Sequence, residues 1–482
     1  MAQARTAVYL LRSALVGAMF LAASGSAFAA SDAGGFNGAA LGPIWVVPFA
    51  GMLLSIALLP LLVPRFVHLH FGKVTAFWAL AYLVPIAWQH GVGLALHQLV
   101  HTALLEYLPF IILLLALFTV AGGIYIRGNL HGAPGLNTGI LALGTGLASI
   151  MGTTGAAMLL IRPLIRANDN RRHKAHVVIF FIFLVGNIGG SLTPLGDPPL
   201  FLGFLKGVDF FWTTRALFLP MILTAGILLA LFYAVDYYFY HHRREERPAA
   251  RDPTPDAPLQ IEGKWNILLL GAIVGSVLLS GLWNPGVSFH VLGTEVELQN
   301  VVRDLLLLAI AWISWKVTPK RARQGNEYTW GPIVEVAMLF AGIFVTIIPA
   351  IAILRAGASG SFAPVLALVT DSNGQPIDAM YFWLTGLLSS FLDNAPTYLV
   401  FFNMAGGDPE LLTNSLATTL VAISAGSVFM GANTYIGNAP NFMIKAIAEE
   451  RGIKMPGFFG YMLWSGLILL PCFALLTLVF FR

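Results

Sequence analysis

Apolar residues run through this chain in long stretches separated by short polar and charged ones. About 20 consecutive apolar residues cross the hydrocarbon core of a bilayer as a helix. The pattern predicts ten spanning segments, at roughly 44–63, 74–97, 103–126, 175–203, 214–240, 264–283, 300–317, 331–354, 415–447 and 457–481. Two shorter stretches, roughly 136–165 and 381–404, read as hairpins that enter the membrane and return to the side they came from. The segment from His241 to Lys264 is charged, Pro-rich and without apolar periodicity, and reads as a solvated linker. It separates a first membrane repeat, 44–240, from a second, 264–481, with residues 241–263 between them. The predicted fold class is an all-α polytopic membrane protein, an inverted repeat of two five-helix halves, each with a re-entrant hairpin and a broken helix.

Two strips carry the repeat. Gly190-Ser191-Leu192-Thr193-Pro194-Leu195-Gly196-Asp197-Pro198-Pro199-Leu200-Phe201 aligns without gaps on Gly431-Ala432-Asn433-Thr434-Tyr435-Ile436-Gly437-Asn438-Ala439-Pro440-Asn441-Phe442. Gly, Thr, Gly, Pro and Phe recur in place, and Asp197 falls opposite Asn438. The hairpin tips, Ala148 to Gly155 and Ser389 to Pro396, are separated by the same register. Gly and Pro interruptions in matching halves point to the midplane site of a secondary transporter.

Composition changes the picture only by excluding alternatives. The chain is 57% hydrophobic and 10% charged, whereas a soluble domain carries about 25% charged residues. The pI near 9.1 does not indicate nucleic acid, because the basic residues cluster in short loops between apolar stretches. Arg5 and Arg12, the apolar run Ala14 to Phe20 and Ala27-Phe28-Ala29 read as a cleavable secretory signal over residues 1–30, in preference to a first spanning helix. The mature N-terminus is then outside. Alternation puts Arg65 to Lys73, Arg127 to His131, Arg162 to Lys174, the linker, Lys316 to Arg323 and Glu449 to Lys454 on the cytoplasmic side of the inner (plasma) membrane. That agreement requires both hairpins to be re-entrant. The lone Cys472 forms no internal disulfide and reads as packing.

The chemistry lies where four broken segments converge. They supply Thr153 and Thr154; Thr193, Gly196 and Asp197; Asp393 and Asn394; and Asn433, Thr434 and Asn438. Freed carbonyls at membrane depth bind cations, and Thr, Asn and Asp add hard oxygen ligands suited to sodium. Asp197 and Asp393 are the sharpest of these. An intramembrane carboxylate costs about 2.5–3.5 kcal/mol on insertion scales and is a functional residue by default. No Lys or Arg lies within the four motifs. Such a carboxylate can hold a proton or a sodium ion, and competition between the two is the simplest antiport. Each Asp also fits a helix N-cap before proline. Glu335, a few residues into the eighth span, is a proton-path candidate or an interfacial residue, and Glu106 reads as a residue near a span end. His90, His97 and His101 can share a helical face at the outer end of the second span. They read as interfacial packing, since no carboxylate or Cys stands at ligand spacing.

Asn187-Ile188-Gly189-Gly190 followed by Thr193-Pro194-Leu195-Gly196-Asp197-Pro198-Pro199, with Ser390-Phe391-Leu392-Asp393-Asn394-Ala395-Pro396, resembles the NhaD-type sodium/proton antiporters. These belong with arsenite permeases and citrate transporters in the ion transporter superfamily. The resemblance spans both halves. It implies a homodimer embedded in membrane lipid, a static scaffold, a moving transport domain and an elevator motion. It implies sodium (or lithium) and protons as transported species, with no enzymatic activity and no cofactor. Related dicarboxylate carriers have Ser-Asn-Thr at the hairpin tips, where this chain has Gly152-Thr153-Thr154 and Asp393-Asn394-Ala395. That departure favours a small inorganic cation. A carrier of citrate or another carboxylate is the alternative within the superfamily, and arsenite extrusion a third. An intramembrane aspartyl protease is the remote alternative: its Gly-x-Gly-Asp motif is absent, since Pro194 stands two before Gly196.

Overall fold

The computed structural model of the chain describes residues 37–128, 130–242 and 258–482. The N-terminal segment read as a signal and most of the linker lie outside the described residues. The first half runs α1 (Val47–Leu62), α2 (Pro64–His90), α3 (Val92–Thr102), a π turn over Ala103–Tyr107, α4 (Leu108–Ala121), α5 (Pro134–Met151), α6 (Thr153–Ala167), α7 (Ala175–Leu184), α8 (Pro198–Leu205) and α9 (Trp212–His242). The second runs α10 (Trp265–Leu282), α11 (Leu298–Val317), α12 (Lys320–Gly325), α13 (Gly331–Thr346), α14 (Ile348–Arg355), α15 (Ala363–Leu366), α16 (Asp378–Phe391), α17 (Asn394–Met404), α18 (Pro409–Thr413), α19 (Ala417–Phe429), α20 (Ala439–Glu450) and α21 (Phe458–Phe480).

The protein is an all-α polytopic membrane protein. Among the described residues, His70–His90, Val92–Ala121, Trp212–His242, Trp265–Leu282, Leu298–Val317 and Phe458–Phe480 are each long and apolar enough to cross a bilayer. Gly331–Thr346 with Ile348–Arg355, bent by 43°, is long and apolar enough for a seventh when the pair is taken as one span. The other three predicted spans are shorter apolar helices, Pro43–Leu59, Ala175–Ser191 and Ala417–Asn433. Two of these end where the paired strips break the helix.

Three expectations are corrected. The second and third spans meet at Gly91, not between residues 97 and 103, because Gly91 takes φ +93 and stops α2. His97 and His101 therefore sit inside the continuous α3–α4 segment, with rings 6.0 Å apart, while His90 ends α2 against Trp45. Glu106 is likewise not at a span end: it lies buried in the π turn and accepts a hydrogen bond from Lys206 Nζ, just past α8, at 2.5 Å. Residues 65–73 are helical, not a loop.

Packing separates two groups of helices. α4, α10 and α11 pack together, as do α1, α2 and α13. The hairpins α5–α6 and α16–α17 and the broken helices form the other group. The first arm of each hairpin packs on its own half's break, α5 on Ile188–Ser191 and α16 on Met430–Asn433. The second arms cross over: α6 packs on α20, and α17 on α8. The two halves thus interlock. α7 is apolar all round from Val177 to Leu184 and buried from His176 on, as a helix inside such a bundle must be.

Glu327, between α12 and α13, accepts from Arg162 of α6 at 3.0 Å and from Arg451 beyond α20 at 2.7 Å. The Arg162 hydrogen bond, against a smaller opposing effect of burial, holds the Glu327 carboxyl below its usual range. A depressed carboxylate stabilises the fold above its ordinary pKa and loses that contribution as pH falls through the folded value. Half exposure keeps the effect small. The difference in melting temperature between the parent and Glu327→Gln is expected at neutral pH and should close below about pH 4. A difference that persists unchanged in acid would overturn the assignment.

Candidate functional site

Both breaks are built by one set of hydrogen bonds. Thr193 Oγ1 donates to the Ser149 carbonyl and accepts from Leu195 N–H at 3.1 Å. Thr434 Oγ1 donates to the Ser390 carbonyl and accepts from Ile436 N–H at 3.2 Å. Ser149 Oγ donates to Gly189 O at 2.5 Å; its counterpart Ser390 Oγ lies 3.1 Å from Met430 O and 2.7 Å from Gly386 O in its own helix. Each group stands 241 residues from its counterpart (149 to 390, 193 to 434). The recurring glycines are explained by close approach: a Cβ on Gly196 would overlap the Gly190 backbone, and one on Gly437 the Gly431 carbonyl. Ser149 and Ser390 escaped the sequence reading of the site, although the repeat register places them opposite one another.

Asp197 is where the motifs meet. Its side chain is 1% exposed. Oδ1 accepts from Thr153 Oγ1 at 3.1 Å and Asn438 Nδ2 at 3.2 Å, and Oδ2 accepts from Asn394 Nδ2 at 2.7 Å. Three donors therefore come from three other motifs, two of them in the opposite half of the chain. Asp197 stands at the N-cap of α8 but makes no side-chain cap bond, so its carboxylate is committed across the interface between halves. Asp393 behaves differently. Its Oδ1 accepts from Ala395 N–H at 3.2 Å, an ordinary N-cap of α17, and its side chain is half-buried.

The remaining candidates divide. Thr153 also anchors the tip through its N–H to Gly196 O at 2.9 Å. Thr193 and Thr434 hold the breaks themselves. Asn433 Nδ2 donates to Ser390 Oγ at 2.9 Å, and its buried Oδ1 has no hydrogen-bond partner among the described residues. Thr154 faces the adjoining cavity. Glu335 is exposed on α13 and does not line that cavity.

Asn187 and Asn441 complete the centre, both fully buried. Asn187 Nδ2 donates to Asn441 Oδ1 at 2.7 Å, and Asn187 Oδ1 accepts from Asn438 Nδ2 at 3.2 Å. Asn441 Nδ2 donates to Gly431 O at 2.8 Å and Thr434 O at 2.9 Å. The two bonds of Asn187 span more than half the sequence, so no local pattern reveals them.

A cavity of about 120 Å³ opens from Thr153, Thr154 and Asp197 toward α4 and α13. Its other walls are largely apolar, among them Phe110, Leu117, Phe201, Val336 and Met443, and among the described residues no Lys, Arg or His lines it. An oxygen-rich end facing an apolar passage suits a small cation that sheds water on entry. It offers no positive group to an anion.

The model of the family described as "Putative citrate transport" matches residues 38–481 of this chain. No curated protein matches it.

Proposed function

We propose that this chain, which belongs to the family described as "Putative citrate transport", is a secondary transporter that exchanges sodium or lithium for protons at Asp197. The observation that carries the reading is the buried carboxylate itself, which takes donors from three motifs in both halves and has no basic residue in its cavity. Such a group holds a proton or a cation in turn. A cation bound there takes Asp197 and the oxygens of Thr153 and Asn394 as hard ligands. The hairpins and broken helices, interlocked by α6 on α20 and α17 on α8, move as one body against α4, α10, α11 and α13, an elevator within a homodimer in the inner membrane. The linker lies on the cytoplasmic side.

Carriage of citrate or a related carboxylate is the second reading, favoured by the family's description. In it, Asp197 binds the coupling cation, and the carboxylate sits elsewhere along the cavity.

Everted vesicles carrying the protein, energised and reporting internal pH, separate the two. Proton release on adding sodium or lithium alone supports exchange. Silence to both ions at every pH, with citrate uptake that needs sodium, would overturn exchange in favour of the carboxylate carrier.

A further inference from the structure

Ser389 stands one residue before the serine that holds the second break, in the last turn of α16, and is fully buried. Its Oγ lies 2.6 Å from Asn394 Oδ1 and 2.6 Å from the Ser427 carbonyl oxygen. Asn394 Nδ2 lies 2.7 Å from Asp197 Oδ2. A hydroxyl has one proton and can donate to one of two acceptors. If Ser389 donates to Asn394, the Ser427 carbonyl faces a lone pair at hydrogen-bond distance, and a buried carbonyl so placed is costly.

The two ends of an amide have nearly the same shape, and the hydrogen-bond network decides between them. Turned through half a rotation, Asn394 presents Nδ2 to Ser389 and Oδ1 to Asp197. Ser389 then accepts from the amide and donates to Ser427 O, and the whole chain is satisfied. Two oxygens now face each other across the site, an arrangement relieved by a cation beside both.

We propose that Ser389 is a positioning residue for cation binding, turning the Asn394 carbonyl oxygen toward Asp197 when the ion is present. This rests on the cation reading above. The amide of the second break itself, Asn438, does not share the device. Asn438 Nδ2 stands 3.2 Å from each of three acceptors, Gly186 O, Asn187 Oδ1 and Asp197 Oδ1, and is fixed as a donor. In the first half, Ala148 occupies the position that corresponds to Ser389 and has no hydroxyl. The device is one-sided in a site built from two related halves.

The test uses the full chain in proteoliposomes, reading sodium-driven proton release against sodium concentration. Ser389→Ala is expected to raise KM for sodium about tenfold while kcat stays within about twofold, the loss of one orienting hydrogen bond. Ser389→Thr, which keeps the hydroxyl, restores KM. The rise in melting temperature that sodium gives in detergent, against choline, should follow the same order. An unchanged KM in Ser389→Ala, or equal losses in the alanine and threonine variants, overturns the proposal while leaving the cation reading intact. No response of the parent protein to sodium overturns that reading and this proposal together. Should the alanine variant fail to fold, Ser389→Cys, a weak donor, serves for the same comparison.

Discussion

Asp197→Asn is expected to cut sodium-driven proton release by about 100-fold or more, with the protein still folded and inserted. The substitution keeps size and shape, so the packing of α8 and the tip of α6 survives. It removes the charge that a cation needs, a loss of about 2.7 kcal/mol or more, as for a buried charge-assisted contact. It also sets a new amide among three donors, from Thr153, Asn394 and Asn438, of which a carboxylate can satisfy all and an amide oxygen only some. Asp393→Asn is the comparison. Asparagine is as good an N-cap as aspartate, so α17 keeps its cap, and exchange falls by less than about tenfold if Asp393 acts only at a distance. Initial rates in everted vesicles, normalised to protein content, decide it. Exchange in Asp197→Asn within about threefold of the parent would remove Asp197 from the mechanism.

On sequence grounds Asp197 and Asp393 looked equivalent: both are intramembrane acids followed by proline within three residues. The structure separates them because a cap is satisfied locally and Asp197 is not. A local pattern shows the cap position, but where the carboxylate points depends on Asn394 and Asn438, some 200 and 240 residues away. The paired strips were legible for a physical reason. Their shared Gly and Thr positions are the ones that make the break, by backbone contact and by the threonine bond to the hairpin serine carbonyl. The bridge from Asn187 to Asn441 and the ion pair of Glu106 with Lys206 were not legible, since pairing across distant helices leaves no periodicity behind. The same holds at Gly91. Gln89-His90-Gly91-Val92-Gly93 and His97-Gln98 are both polar or glycine-bearing interruptions, and composition alone does not say which of them stops the helix. The polar segment after α10 hid a β-hairpin, Ser288–Val291 paired with Thr294–Glu297, because Leu292 and Gly293 turn with positive φ without the usual Asn-Gly pair.

Asp236→Ala is expected to destabilise the protein by about 3–5 kcal/mol, the cost of removing one partner from a buried ion pair. Asp236 is fully buried near the end of α9, and Arg171 is buried beside it. Oδ1 accepts from Arg171 at 2.6 Å and lies 2.8 Å from His176 Nε2 at the start of α7. Oδ2 accepts from Arg171 at 3.2 Å and from Asn137 of α5 at 2.9 Å. Asn137 and Asn168 exchange amide bonds at 2.9 Å each, which joins the base of α5 to the end of α6. One carboxylate therefore ties together the open end of the first hairpin, α7 and α9. Its loss takes from the buried Arg171 guanidinium the carboxylate that both of its terminal nitrogens contact, leaving it the Asn168 carbonyl oxygen and the Tyr240 ring, and loosens the hairpin at the end opposite Thr153. Transport should fail with the fold, since the tip that reaches Asp197 is positioned from this base. Melting in detergent measures the effect, and the double variant Arg171→Leu with Asp236→Leu discriminates its cause. If the stranded charge is what destabilises, the double variant melts above Asp236→Ala. If the double variant is worse than either single change, the cluster holds the hairpin by its hydrogen bonds, and the stranded-charge account is wrong.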